Sequence, residues 1–408
     1  MTGDPTYTKR IFTAVAILIL LTDVSVSRAA SLVATPGISL GGIWDSNIFN
    51  VPDNEESDFI FRATPGLALS LAAYKTTLIL SANVDLDRYA KHPELNSKTN
   101  TSTVIINLNV SEALPLMLTP RLTITPFARY VETKDSIRMS KETQNPIPGL
   151  PPSDKFISSG RTGIREYGGS LKMDYLVSPH ITFGLGGGAQ KREYTENPTG
   201  LIDSETLNWA TSLSYKITPN ISSGLGFGAT YDYFKDRPTV TSYNGGLIIN
   251  GGFPMPVAEN LVFNGRMGLS YNVESKKYDP AVGLSLTYSQ LNWNATLNGS
   301  YALAGGGSFG KMTHRWDAGL GAAGALSERW GWNLYGGYQR SRSIDQPETE
   351  DVASTGGAAG IGYSMNRYVS IRLSGNVSHQ LSYGLQGNDL KKESVFLGIN
   401  IGNSYLIF

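Results

Sequence analysis

The chain has 408 residues, 34 basic and 34 acidic side chains, no cysteine and a mean hydropathy of −0.15. The balanced charge gives no electrostatic case for nucleic-acid binding. The absence of cysteine excludes disulfide frameworks, thiolate chemistry and cysteine-based metal sites. After residue 30 we find no apolar spacing of the helical kind, which a soluble enzyme of this length usually shows.

The N-terminal segment has the features of an export signal. A basic pair at positions 9 and 10 precedes an apolar run of eleven residues, and Ser27 and Ala29 supply small residues before a cleavage point. Such a run is too short for a membrane helix, which needs about 20 residues. We therefore predict a cleaved signal peptide over 1–29 and a single domain over 30–408.

From Ile38 onward, segments of about ten residues alternate apolar and polar side chains and end in a turn. In the segment 261–272, Leu261, Phe263 and Met267 fall on one side while polar residues fall on the other. Successive side chains of a strand point to opposite faces. Many such strands without helices leave a β-sandwich, a propeller or a closed barrel.

The connections between these segments alternate between eight short turns and nine longer polar loops. This alternation is typical of outer-membrane barrels, whose periplasmic turns are short and whose extracellular loops are long. We therefore predict an all-β fold, a transmembrane antiparallel up-and-down β-barrel of about 18 strands. The longest loop, 134–162, contains four prolines. It would either constrict the pore or decorate the surface, and both readings stay open.

Aromatic residues lie at the ends of the apolar faces and aliphatic residues in the middle, as in 221–233 and 330–338. Rings placed at both headgroup levels produce this pattern in a membrane barrel. The alternative is a soluble sheet with aromatic residues in its core, but a core face has no reason to place rings at its ends. The apolar face is therefore expected to contact lipid.

The opposite parity is expected to line a water-filled interior, which eighteen strands leave open unless something plugs it. The predicted lining is mostly Ser, Thr, Asn and Gly, with a small excess of bases that hints at tolerance of anions. The predicted charged and aromatic lining residues are Arg62, Asp85, Asp87, Arg121, Arg129, Glu166, Lys172, Asp174, Arg192, Lys216, Asp232, Arg266, Arg315, Asp317, Tyr335 and Arg372. Phe234 shares this parity, and we expect Tyr335 and Phe234 to be able to stack on sugar faces.

The chain ends on Phe408, and a C-terminal aromatic residue resembles the assembly signal of outer-membrane barrels. Leu406 fits that pattern, whereas Val395, Leu397 and the apolar residues after them have the opposite parity. A β-bulge near Asn403 would reconcile the two halves.

Catalysis has little support in the sequence. No nucleophile motif accompanies the four histidines. Asp85 and Asp87 share a face, which suits acid–base work or cation binding, although a hydrated pair in a pore or an ion pair with a facing arginine is commoner. The acidic run 53–58 reads as a solvated loop rather than a divalent-ion site. The glycines of 184–188 lack the following helix of a dinucleotide site. We predict no enzymatic activity, no cofactor and no metal.

The first strand is followed by an aromatic–Asp–x–Asn–apolar–aromatic element, and a Pro–Gly pair marks the second strand. The matching positions are Trp44, Asp45, Asn47, Ile48, Phe49 and Pro65. This element resembles the start of a family of β-barrel porins that accompany exopolysaccharide gene clusters. The resemblance implies an eighteen-stranded outer-membrane pore that exports a polysaccharide together with a periplasmic polysaccharide-export protein.

The sequence thus predicts a passive pore in the outer membrane of a Gram-negative bacterium, surrounded by lipid and lipopolysaccharide and inserted by the barrel assembly machinery. Export of a secreted polysaccharide is the first expectation, because weakly binding hydroxyls and amides suit a conduit. A general or anion-preferring diffusion porin for small solutes is the first alternative. A structural or adhesive barrel with a closed lumen is the second.

Overall fold

The structure is a computed structural model that describes residues 31–73, 76–109, 122–133, 163–196, 202–253, 260–305, 312–344, 351–383 and 389–406. Eighteen long strands form one antiparallel sheet in these residues. Their bounds are β1 Ser31–Asp45, β2 Asp58–Ala73, β3 Thr76–Tyr89, β4 Ser97–Asn109, β5 Leu122–Thr133, β6 Gly163–Ser178, β7 Ile181–Glu196, β8 Ser204–Thr218, β9 Ile221–Phe234, β10 Val240–Phe253, β11 Leu261–Asn272, β12 Lys277–Ser289, β13 Trp293–Gly305, β14 Met312–Ala325, β15 Trp330–Ser343, β16 Asp351–Ser364, β17 Val369–Ser382 and β18 Leu390–Gly402.

The sheet closes on itself. Every strand pairs with the next one along the chain, and β1 pairs with both β2 and β18. Full closure leaves no exposed sheet edge. The predicted up-and-down barrel and its strand number are therefore confirmed.

The two ends of the barrel differ in the length of their connections. Only Pro179 and His180 separate β6 from β7, whereas residues 46–57 separate β1 from β2. We call these the short-turn end and the long-loop end. The described loops contain one 3₁₀ turn, Pro93–Leu95, and no helix of the described residues is long and apolar enough to span a membrane.

The outer face is apolar along most of the barrel. Leu297 pairs in register with Leu286 and Leu320, and it is 49% exposed on a face that no other part of the described chain covers. Leu225 and Met267 are still more exposed, at 68% and 64%. An isolated soluble domain rarely exposes so large a contiguous apolar surface. The exposed face and the alternation in the sequence have the same parity, so the expected outward direction agrees with the register.

Prolines interrupt the strand ladders without shifting their register. The β2–β3 ladder pairs Ala63 with Leu86 and Gly66 with Asn83, and Pro65 lies in the gap. A proline has no backbone N–H to donate to its neighbour. The ladder is interrupted at Pro65 for this reason. Pro65 has the outward parity of β2 and lies opposite Ile38 of β1.

The last strand is continued by a two-residue segment, Tyr405–Leu406, in unchanged register. Gly37 faces Gly402, and Val33 faces Leu406, so no extra residue lies between the two segments. The described register therefore has no β-bulge near Asn403, and the match of the chain's end to the assembly signal is only partial. Ile401 and Tyr405 share the outward face and are 44% and 54% exposed. Among the described residues of this last segment, Tyr405 is the outward aromatic one.

Candidate functional site

The interior wall carries the predicted charged positions. Strand register places all the described ones on the face opposite the exposed apolar side chains. These residues are Arg62, Asp85, Asp87, Arg129, Glu166, Lys172, Asp174, Arg192, Lys216, Asp232, Arg266, Arg315, Asp317, Tyr335 and Arg372. The predicted signal peptide, Arg121, the loop 134–162 and Phe408 lie outside the described residues.

The carboxylates of β3 are held by an arginine of β2. Arg62 donates through Nε to Asp87 Oδ1 at 2.9 Å, and its Nη1 lies 3.8 Å from Asp85. Thr64 donates its hydroxyl to Asp85 at 2.7 Å. Asp87 is fully covered, at 1% exposure. Asp85 and Asp87 are therefore part of an ion-paired network. Of the readings that the sequence left open for them, the one with a facing arginine applies.

Two further interior pairs lie in the half of the barrel next to the long loops. Arg192 donates through Nε and Nη2 to Glu166 Oε2, at 3.1 and 2.8 Å. Arg315 donates through both groups to the carboxylate of Asp317, at 2.9 and 3.2 Å. Glu166, Arg192 and Arg315 are all less than one-tenth exposed. Buried pairs of this geometry fix the wall but leave little net charge for a passing solute.

Three of the predicted lining cations have no ion-pair partner among the described residues: Lys216 of β8, Arg266 of β11 and Arg372 of β17. Each lies between two and five residues from the short-turn end of its strand, and each is exposed. Lys172, in the middle of β6, is exposed as well but pairs with Asp174 at 2.7 Å. These three cations therefore place uncompensated positive charge in the half of the interior next to the short turns. Lys277 has interior register as well, but it lies at the long-loop end of β12.

Arg266 lies against the wall of the neighbouring strand. A Cβ atom placed on Gly283 of β12 would approach Arg266 Nε to 2.8 Å. Glycine at that position therefore leaves room for the guanidinium stem beside the backbone. A cavity of about 1170 Å³ opens at the short-turn end nearby, and its lining includes Thr182, Ser214 and Lys216. Polar and apolar side chains both line this cavity, since Leu176, Ile221 and Val262 also reach it.

The long-loop end is packed differently, because the first part of the loop 46–57 is buried against the barrel. Asn47 and Asn50 have no exposed surface, and Ile48 is 2% exposed. The Asn47 side chain donates to the carbonyls of Val51 at 2.7 Å and Lys391 at 3.2 Å. It also accepts from the Val51 N–H at 3.0 Å. The loop is therefore tied to β18 across the seam where the barrel closes.

A buried ion pair strengthens the same connection. Lys392 Nζ lies 2.8 Å from Asp45 Oδ2 and donates to Asn50 Oδ1 at 3.0 Å. Asp45 Oδ1 accepts from the Asn47 N–H at 3.1 Å. We call Asp45, Asn47, Asn50 and Lys392 the clasp. Sequence reasoning placed Asp45 and Asn47 in a family element but did not find their partner Lys392.

Apolar residues pack beneath the clasp. Ile43, Ile48, Ile60 and Tyr89 form a buried cluster, and Phe49 packs against it. Phe49 meets His92 edge to face, with ring centroids 5.1 Å apart. The family element therefore splits in two, since Asp45, Asn47, Ile48 and Phe49 point inward while Trp44 points outward and is 41% exposed.

The last residue of the acidic run 53–58 is less solvated than the sequence indicates. Asp58 is 2% exposed, and its carboxylate accepts the backbone N–H groups of Lys91 and His92 at 3.0 to 3.2 Å. The reading of 53–58 as a solvated loop is therefore wrong for Asp58. That carboxylate connects the β1–β2 loop to the β3–β4 loop.

The two aromatic residues that were expected to stack on sugar, Phe234 and Tyr335, have different surroundings. Phe234 is 6% exposed and packs with Val240 and Leu303 at the long-loop end, so the expectation that it stacks on a passing sugar is wrong. Tyr335 lies in the middle of β15, and its hydroxyl is 2.7 Å from the place where a Cβ of Gly337 would stand. Its ring therefore lies along the wall.

Comparison with known proteins gives structural similarity alone. No protein-family model and no curated protein matches the chain. OccK2 (OpdF) of Pseudomonas aeruginosa is 9% identical, with a TM-score of 0.48 over 92% of this chain and 98% of that one. OccAB4 of Acinetobacter baumannii is 11% identical, with a TM-score of 0.43 over 91% and 98%. The outer membrane protein opdK of Pseudomonas aeruginosa is 7% identical, with a TM-score of 0.42 over 91% and 99%.

Proposed function

We propose that the protein is an integral outer-membrane pore through which small polar solutes diffuse passively, with a preference for anions. A closed barrel with an apolar outside and a polar inside suits a membrane whose core offers no hydrogen-bonding partners. The exposed Leu297 and Leu225 support lipid contact. Such a pore belongs to a Gram-negative outer membrane, with the long loops facing outward and the short turns facing the periplasm.

The spacing of the outward rings supports the membrane placement. Trp330 and Tyr338 lie eight residues apart on the outer face of β15, and both are about 40% exposed. At about 3.3 Å per residue and a strand tilt of about 40°, their Cα atoms are roughly 20 Å apart along the barrel axis. The rings extend beyond this span, which fits an apolar band about 25 Å tall.

The observation that carries the anion preference is the uncompensated charge of Lys216, Arg266 and Arg372. The interior carboxylates nearest the long loops are buried and paired, whereas these cations are exposed and unpaired among the described residues. Register also adds Asp45, Asp58 and Asp279 to the interior acids and Lys277 and Lys392 to the interior bases. The preference therefore depends on where free charge lies rather than on an excess of bases over the whole wall.

Planar-bilayer recordings test the proposal. The purified protein is expected to conduct, and its reversal potential in a KCl gradient should have the sign of an anion-selective pore. The triple variant Lys216→Gln, Arg266→Gln and Arg372→Gln should move the reversal potential toward that of a cation-selective pore. A variant of two short-turn cations, Arg329→Gln and Arg367→Gln, is the control and should leave it unchanged.

The outcomes separate the alternatives. No conductance from folded protein would overturn the pore and favour a structural barrel, which the packed long-loop end would suit. If the protein conducts but the reversal potential shifts equally in the triple variant and in its control, the assignment of selectivity to the three interior cations is overturned.

Polysaccharide export is a second candidate, carried by the resemblance of Trp44–Phe49 to the exopolysaccharide-associated family. The clasp gives Asp45 and Asn47 a structural role that requires no polymer. Deletion of the gene followed by measurement of secreted polysaccharide tests export, and unchanged secretion would count against it. A periplasmic polysaccharide-export partner and insertion by the barrel assembly machinery stay predictions.

A further inference from the structure

We propose that the outer surface of β1, β2, β3 and β4 at the long-loop end binds the phosphate group of an outer-leaflet glycolipid of the lipid A type. The surface consists of Trp44, Phe59, Phe61, Arg88 and Lys98, and we call it the outer patch. This inference rests on the proposed function for its orientation, since only long loops that face outward bring the patch to the outer leaflet.

Register places the cations of the outer patch side by side. Arg88 of β3 lies opposite Phe61 of β2, and Lys98 of β4 lies opposite Leu86 of β3. Arg88 and Leu86 are neighbours on one face of β3, so Arg88 and Lys98 are diagonal neighbours. Such positions lie roughly 7–8 Å apart. Two long side chains at that distance reach a single phosphate from both sides.

Neither cation has a partner among the described residues, although both are exposed. Arg165 and Lys191, two other outward cations at the same end, are neutralised by the protein itself. Arg165 pairs with Glu132 at 2.9 Å, and Lys191 pairs with Glu193 at 2.9 Å. Arg88 and Lys98 are thus available to an external anion at a rim where Arg165 and Lys191 are already neutralised.

Aromatic rings border the two cations. Phe59 and Phe61 meet edge to face with centroids 4.9 Å apart, and Trp44 lies opposite Phe59 in register. Their exposures are 41%, 59% and 41% for Trp44, Phe61 and Phe59 respectively. Rings of this kind lie where acyl chains meet headgroups. A phosphate held above exposed rings matches a lipid whose phosphorylated sugar continues into acyl chains.

The experiment measures lipid binding by native mass spectrometry on the purified full-length protein in detergent. The probes are bis-phosphorylated lipid A, the same lipid after removal of its phosphates, and phosphatidylglycerol. The double variant Arg88→Gln and Lys98→Gln is compared with the control Arg329→Gln and Arg367→Gln, which removes two cations from the short-turn end. At about 1 kcal/mol per cation, the double variant should lose affinity for lipid A about thirtyfold, and the control should lose none.

The outcomes decide the proposal directly. Equal losses in both variants, or equal binding of lipid A with and without phosphates, would overturn it. An equal loss for phosphatidylglycerol would also overturn it, because the patch would then be a general anionic-lipid surface.

Two further measurements separate this proposal from the proposed function. The conductance of the double variant Arg88→Gln and Lys98→Gln should equal that of the unmodified protein. Failure of the pore and failure of lipid binding can therefore be distinguished. Since the chain has no cysteine, Asp236→Cys in a long loop and Glu328→Cys in a short turn can be labelled singly on intact cells. Labelling of Glu328→Cys alone would show that the barrel has the opposite orientation. The outer patch would then not lie in the outer leaflet.

Discussion

The clasp gives a quantitative prediction for Lys392→Met. The side chains of Lys392 and Asp45 are 5% and 9% exposed and their charged atoms lie 2.8 Å apart. At an effective dielectric constant of about 20, the attraction between them is about 6 kcal/mol, which is offset by a desolvation cost of several kcal/mol per ion. The pair itself therefore contributes little net stability.

Removing one partner has a larger effect than removing both. Lys392→Met leaves Asp45 buried without its cation and Asn50 Oδ1 without its donor, so the free energy of unfolding should fall by about 3–5 kcal/mol. The double variant Asp45→Asn with Lys392→Met removes both charges and should recover more than half of that loss. Urea unfolding in detergent, followed by tryptophan fluorescence and by the gel shift between folded and heated protein, measures the free energy.

The neighbouring lysine supplies the matched control. Lys391 is 60% exposed and pairs with Glu393 at 2.9 Å on the outer surface, so Lys391→Met should cost less than about 1 kcal/mol. If Lys392→Met costs no more than Lys391→Met, the clasp does not stabilise the barrel and the reasoning is refuted. A loss in the double variant equal to the single loss would refute the ionic explanation and leave packing as the cause.

Other substitutions test the two faces and the close strand contacts. A Cβ on Gly268 would stand 2.6 Å from Gly246 Cα, so Gly268→Ala should destabilise the barrel by about 1–3 kcal/mol, whereas Gly321→Ala, with its nearest atom 4.0 Å away, should be neutral in the same unfolding assay. Leu297→Arg places a charge against lipid and should cost about 2–4 kcal/mol, while Asn298→Arg on the adjacent interior position should be tolerated and raise anion selectivity in bilayer recordings. Equal unfolding free energies for the two arginine variants would contradict the assigned faces. Asn47→Ala removes the hydrogen bonds that hold the loop 46–57 and should change single-channel conductance; an unchanged conductance would show that this loop does not limit the pore.

The architecture of the barrel was predictable because a strand has a side-chain period of two. Each alternating segment fixes which side chains share a face, and the turn lengths fix which ends of the strands meet. Leu297 and Asn298 show this, since their opposite faces follow from adjacent positions alone. No long-range information was needed for the strand number.

The packing of the interior was not predictable from parity. Phe234 has the interior parity, but its burial depends on contacts with Val240 and Leu303, which parity does not report. The ion pair of Asp45 with Lys392 depends on closure between the first and last strands. A local pattern contains no signal for such a contact.

The end of the chain shows a different limit. The change of apolar parity after Asn403 indicated a bulge, because apolar side chains were expected to face lipid throughout. The register with β1 is instead continuous, and Tyr405 faces outward at the position that parity assigns to it. The hydrophobic pattern therefore stops being a guide where the strand passes beyond the apolar band.

The position of the clasp also bears on the order in which the barrel forms. Every other ladder joins consecutive strands, while Asp45 and Lys392 are 347 residues apart in the chain. Bringing such distant residues together costs about 3 kcal/mol more loop-closure entropy than joining a hairpin of about 16 residues. Ladders between neighbouring strands can therefore assemble early, and the seam is expected to be the slowest to form. Burial of Asn47, Ile48 and Asn50 would then report that the ring of strands is complete.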